Sequence, residues 1–178
     1  MKKLLLLALI LLASTAMHAQ VAKAKSMLIL NFVRYVGWNE STREGNFVIG
    51  VVKDPDLADY LKQQTKGKKL GFQQIEIREF DNAEQVTNCH VLYVSSNFKY
   101  LSNYYKLMNK ASKNTLIMTE EDGATRRGSM INLVFQGDEL KFQLNKANAE
   151  SAGIHLAAKL VDMSGSINRI WTKNAKGS

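Results

Sequence analysis

The amino-acid pattern points to an α/β fold: a three-layer sandwich whose mostly parallel central sheet carries helices on both faces. Three observations carry that expectation. The short apolar runs "FVIGVV" (Phe47 to Val52), "HVLYVS" (His90 to Ser95) and "TLIM" (Thr115 to Met118) suit strands covered on both sides. Segments of helical spacing lie between them. Near the end of the chain, two alternating apolar-polar runs flank Gly137-Asp138 and read as a closing antiparallel β-hairpin, followed by a packing helix.

In order, the chain opens with Lys2-Lys3, an apolar run from Leu4 to Leu12, and a small-residue stretch ending at Ala19-Gln20. That is the arrangement of a secretory signal peptide over residues 1–19, with cleavage expected after Ala19 or Ala16. The run is too short to span the roughly 30 Å of a bilayer core as a helix. No Cys follows either site, so lipid attachment is not expected. Residues 20–178 then make one domain of ordinary size.

The stretch "SMLILNFVRYVGWNES" (26 to 41) has the period of a helix. Ala22, Ile29, Phe32, Val33 and Val36 form an apolar stripe, flanked by Leu28 and Leu30, that belongs against a core. The opposite line holds Met27, Asn31, Arg34 and Trp38, spaced i, i+4, i+7 and i+11. A Met, an Arg and a Trp beside an amide have the composition of a contact surface.

After "FVIGVV", Asp54 stands as N-cap and Pro55 at the first helical position, so a helix to about Thr65 is expected. "QQIEIREF" alternates as a half-exposed strand. Beyond "HVLYVS", Ser96 or Asn97 is expected to cap a helix with Phe98, Leu101, Tyr105 and Met108 on one face. Past the polar loop "TEEDGATRRGS", Ile131, Leu133 and Phe135 alternate with Asn132, Val134 and Gln136, and Leu140, Phe142 and Leu144 do the same. One long helix from Lys146 to Met163 follows, with His155, Lys159 and Asp162 on its solvated edge.

Charge and cysteine usage narrow the function. The formal net charge is +8, with two of the lysines in the leader and the rest scattered apart from Arg169, Lys173 and Lys176 in the tail. An exported chain meets no nucleic acid, so this balance reads as a solvated surface. Cys89 is the one cysteine, which rules out an intramolecular disulfide. Stability must come from apolar burial.

Signatures of chemistry were sought residue by residue. The chain has no nucleophile elbow, no phosphate-binding P-loop and no G-x-G-x-x-G after a strand. Cys89, His90 and His155 are too few for a structural zinc site, and strand neighbours point to opposite faces. No metal, cofactor or catalytic residue is expected. Glu120, Glu121 and Asp122, with Arg126 nearby, follow a central strand, where open α/β sheets bind ligands. They form the alternative site, for an ion or small molecule, over residues 120–127.

Asn31-Phe32 through Trp38, "FVIGVV", "NCHVLYVSSN", "TEEDG" and "GSMINLVFQGDELKFQLNKANAESAGIHLAAKL" together resemble the YfiR-like family of exported bacterial regulators. The resemblance spans residues 20–178 and rests on the order and spacing of these segments. It implies a periplasmic signalling protein without catalysis. Its partner would be a membrane-bound sensor, a diguanylate cyclase or a histidine kinase. One member of the family represses such a cyclase by binding its periplasmic sensory domain, which lowers cyclic di-GMP output. Two departures stand out. Asn39 occupies a position where Pro often follows the Trp, and the several cysteines behind redox-responsive behaviour are missing. The partner, the sign of regulation and the oligomeric state, a homodimer included, stay open at this point.

Overall fold

A computed structural model of the protein describes residues 19–111, 113–136 and 139–164. Residues 1–18 of the expected leader, the Gly137-Asp138 turn and the basic tail lie outside the described residues. The first helix, α1, covers residues 19–32. It is followed by β1 (Val36–Gly37), β2 (Phe47–Val52), α2 (Pro55–Thr65), β3 (Lys69–Leu70), β4 (Gln73–Phe80) and β5 (Val91–Val94). Then come α3 (Tyr100–Lys110), β6 (Leu116–Thr119), β7 (Ile131–Gln136), β8 (Glu139–Leu144), α4 (Lys146–Ser151), β9 (His155–Leu156) and α5 (Ala158–Met163).

Seven strands form one sheet in the order β3-β4-β2-β5-β6-β7-β8. The pairs from β4 to β7 are parallel, and the two outer pairs are antiparallel. Because the sheet grows outward in both directions from β2, the topological switch lies between β2 and β5. The apolar runs behave as their composition demands: every residue of β2, β5 and β6 is buried. Alternation along β2 sends Phe47, Ile49 and Val51 into a core shared with α1, α2 and the C-terminal helices. Val48 and Val52 enter a second core under α3. Helices therefore lie on both faces of a mostly parallel sheet, and the α/β expectation holds.

Gly50 is required by this arrangement. A Cβ there would meet Phe80 Cε2 at 2.7 Å and Leu92 Cδ1 at 3.3 Å. Asp54 caps α2 through an Oδ1 that accepts the Leu57 N–H at 3.1 Å, with Pro55 at the first position.

Three local expectations are corrected. The closing helix is not continuous. Gly153 adopts φ +74°, the Ile154 N–H donates to the Ala149 carbonyl at 2.9 Å and the Gly153 N–H to Glu150 at 3.0 Å. That is a Schellman ending, which stops α4 and frees His155–Leu156 to pair as a strand. The opening helix also ends early, at residue 32, and passes through a 3-10 turn (Val33–Tyr35) into β1, which pairs antiparallel with β9. Finally, α3 buries Tyr100 and Leu107, while Leu101 and Tyr105 of the expected inner face are exposed. Lys99 sits in the left-handed region at φ 59° and restarts the chain as a helix one residue out of phase with the expected stripe.

Candidate functional site

The pairing of β1 with β9 shapes an open apolar cleft at one side of the fold. Val36 registers with Leu156 and Gly37 with His155, and the Ala157 N–H donates to the Tyr35 carbonyl at 2.8 Å. The chain is thereby drawn out of its helical path. Trp38 turns onto Phe47, edge to face at 4.9 Å, with the His90 ring 6.4 Å away.

His90 pins the neighbouring loop. Its ring stacks on Phe47 at 4.5 Å. Nδ1 accepts the Val48 N–H at 3.1 Å, which requires the proton on Nε2, and Nε2 donates to the Thr42 carbonyl at 2.7 Å. Gln73 Nε2 reaches the same carbonyl at 3.1 Å. The segment between Trp38 and Phe47 is thus held from two strands.

Between this segment and the β3–β4 hairpin lies a cleft of about 370 Å³ with Val36, Trp38, Phe47 and Leu70 in its lining. Arg34 and Phe72 stand at its edge. Phe72, at the hairpin tip, is 100% exposed. Arg34 is exposed and forms no ion pair among the described residues. Trp38 Nε1 is buried and finds no acceptor among them.

Of the four residues expected to form one line, Arg34 and Trp38 meet at this cleft. Met27, 62% exposed, and half-buried Asn31 lie further back on α1, outside its lining. The four do not form a helical row, because the helix ends before Arg34. The sequence does not mark Phe72 as a site residue, and it offers His90 only as an insufficient zinc ligand. An aromatic directly after a turn glycine in "KLGFQQ" was the available signal for Phe72. His90 offered none.

Two of the three carboxylates of the 120–127 loop, Glu120 and Glu121, are engaged within the fold instead. Lys25 Nζ lies 2.7 Å from Glu120 Oε1 and 2.9 Å from Asp54 Oδ2, in surroundings where all three side chains are almost buried. The approach to Oε1 is off the angle of a directed hydrogen bond, so the attraction there is ionic. Glu120 Oε2 accepts the Ser96 N–H at 3.2 Å, and Glu121 Oε2 accepts the Leu101 N–H at 3.0 Å, serving the start of α3. Asp122 is exposed, and Arg126 lies against Gly123. Burial alone pulls the Lys25 ammonium down, but Glu120 and Asp54 more than offset it, and its pKa is raised. The Tyr93 hydroxyl beside them is pushed well up, by burial first and then by Glu120.

This ion-paired cluster occupies the carboxyl ends of the strands at the switch point, the usual ligand position of such sheets. Here it ties α1 to the sheet. Among the described residues no group of three or more His, Cys, Asp or Glu side chains is arranged to hold a metal ion. No helix among them is long and apolar enough to cross a membrane.

Among curated proteins, none matches the chain. One family model, described as YfiR/HmsC-like, matches residues 22–165, from α1 to just past α5.

Proposed function

The chain belongs to the YfiR/HmsC-like family, whose members are in general periplasmic regulators of cyclic di-GMP signalling, and from that membership we propose that it binds the extracytoplasmic part of a membrane-bound sensor. The contact is the cleft beside Trp38. A diguanylate cyclase is the partner class that the family favours, with a histidine kinase as the other sensor class. The protein performs no bond-making of its own. It biases the sensor's conformational equilibrium, for which a coupling of roughly 1 to 3 kcal/mol is sufficient.

The observation that carries this reading is the anatomy of the cleft rim. A fully exposed Phe72 and an Arg34 that forms no ion pair among the described residues flank an apolar floor that ends in Trp38. Aromatic and Arg anchors around a desolvated floor are the composition of binding hot spots. An exposed Phe gains nothing for the fold at the tip of a hairpin. It gains roughly 1.5 to 3 kcal/mol when a partner covers it.

A photo-crosslinking residue at position 72, compared in living cells with one at exposed Phe135, tests the proposal. Adducts with a membrane sensor from position 72 and not from 135 are expected, together with altered cyclic di-GMP in cells carrying R34E/F72S. Equal adducts from both positions, or an unchanged nucleotide level, would remove the cleft from the proposal.

A further inference from the structure

We propose that the outer face of α3, with the turn before β7, docks the protein peripherally on an anionic phospholipid surface. The sequence around α3 is one of the stretches of the chain without acidic residues. Residues 85–119 contain Lys99, Lys106, Lys110 and Lys113 and not one Asp or Glu. A solvated surface face mixes signs evenly; on α3 itself the charges are all positive.

The structure gives that charge a shape. Tyr100 and Leu107 anchor α3 in the core. That leaves Leu101 and Tyr105, one turn apart, as an outward ridge 37% and 72% exposed. Lys106 and Lys110, also one turn apart, run along one side of the ridge. On the other side, the Ala124–Arg127 turn is fastened to α3 by the Tyr100 hydroxyl, which donates to the Arg127 carbonyl at 2.6 Å, and by Gly128 against Tyr104. Exposed Arg126 and Arg127 are carried alongside.

Three carboxylates share the region, and two are already engaged. Glu84 lies 3.6 Å from Lys106, and Glu121 accepts the Leu101 N–H. Asp122 is the third. Lys106, Lys110, Arg126 and Arg127 then stand against Glu84, Glu121 and Asp122, which leaves the face weakly cationic.

An apolar and tyrosine ridge bracketed by Lys and Arg is what an interfacial helix presents to a bilayer. Tyr places its ring below the headgroups and its hydroxyl among them, and Lys and Arg stems lie along the apolar zone with their charges at the phosphates. The charges beside the ridge are spread over two elements. That spread demands no matching shape from its target, which favours a lipid surface over an acidic protein. The Trp38 cleft opens on the other core of the sheet, so docking through α3 leaves it free.

The test is co-sedimentation of the full-chain protein with vesicles of phosphatidylcholine alone or with about a third phosphatidylglycerol. Wild type, K106E/K110E, L101S/Y105S and R34E are compared at low and at high salt. All share one N-terminus, so any contribution of residues 1–19 is common to every arm. Binding to the anionic vesicles is expected, with little to the neutral ones and release at high salt. Both ridge variants should bind about tenfold or more weakly, and R34E should bind as wild type does. Equal binding of wild type and K106E/K110E overturns the proposal. So does retention on a polyglutamate resin without preference for anionic vesicles, which would assign the face to an acidic protein.

Discussion

Lys25 Nζ stands 2.7 Å from Glu120 Oε1 and so joins the first described helix to the loop that follows the fourth parallel strand. The same ammonium reaches Asp54 beyond β2. Removing the cation leaves two carboxylates with little water to solvate them. Each keeps one backbone donor, Leu57 N–H for Asp54 and Ser96 N–H for Glu120. K25M should therefore lose about 3 kcal/mol, the lower part of the range for breaking a buried pair. K25M/E120Q should lose less than the two single changes added together, because Gln brings no charge into the site. Urea denaturation measures both, and a K25M loss below about 0.5 kcal/mol would contradict the arrangement.

Alkaline solution should unfold the protein progressively. Burial pushes the Cys89 thiol from 9.0 up to about 12, and the Tyr93 and Tyr100 hydroxyls are likewise raised, by burial first. These acids stay protonated in the folded chain while the unfolded chain releases its protons. The unfolded state then binds fewer protons, and stability falls as pH rises, by about 1.4 kcal/mol per pH unit for each group inside its window. Lys25 acts in the same direction: its raised pKa contributes stability below 10.5 that is lost above it. Tm measured from pH 8 to 11.5 should decline from about pH 9 onward. In C89A the first part of that decline should flatten, although its Tm at pH 8 is lower. A parallel decline in wild type and C89A would sink the assignment to Cys89.

The backbone requirement at Gly50 gives a third test. Gly50→Ala pushes a methyl into Phe80, whose ring is itself buried, so the neighbour can yield only by displacing the second core. A loss of about 1 to 3 kcal/mol is expected from such overpacking. Combining it with Phe80→Leu, which opens space at the contact, should cost less than the sum of the separate losses. Additive losses in chemical denaturation would show that the two positions do not touch.

What the sequence alone discloses follows a physical divide. Strands buried on both faces need only composition, and Phe47–Val52, Val91–Val94 and Leu116–Thr119 were legible for that reason. The cap Asp54 and Pro55 are local chemistry and were legible too. The face of α3 was legible in part: Phe98 and Met108 pack on the second core as expected, whereas Leu101 and Tyr105 do not. Phe98, Leu101, Tyr105 and Met108 and the observed Tyr100 and Leu107 both have helical spacing, and the choice between them is made by Lys99 at φ 59°. Periodicity cannot register a one-residue phase shift. The Arg34–Trp38 neighbourhood was half legible: both residues were singled out, but the helix expected to align them ends at a strand pairing with distant His155–Leu156. His90 joins them through tertiary contacts, and Phe72 through the placement of the β3–β4 hairpin, neither of which spacing encodes. Lys25 read as one surface lysine among many until its two carboxylates were seen to converge on it.

His90 offers a test that links the fold to the cleft. One imidazole satisfies the Val48 N–H, where β2 runs ahead of β5, and the Thr42 carbonyl, in the loop that carries the wall beside Trp38. His90→Ala deprives both groups at once and removes the ring stacked on Phe47. A stability loss of about 2 kcal/mol is expected, as for two polar groups left partly buried. The loss should be local in its dynamics: hydrogen exchange should accelerate in residues 38–46 and leave β6 and β7 as slow as before. Gln73 would then hold the loop alone through the Thr42 carbonyl, so H90A/Q73A should release it further, by more than the two single changes added together. If the cleft is the partner surface, sensor crosslinking from position 72 should weaken in H90A even at temperatures where the chain stays folded. Uniform acceleration of exchange across the sheet in H90A would mean instead that His90 supports the whole core, and unchanged exchange in residues 38–46 would mean that the loop is held by other contacts.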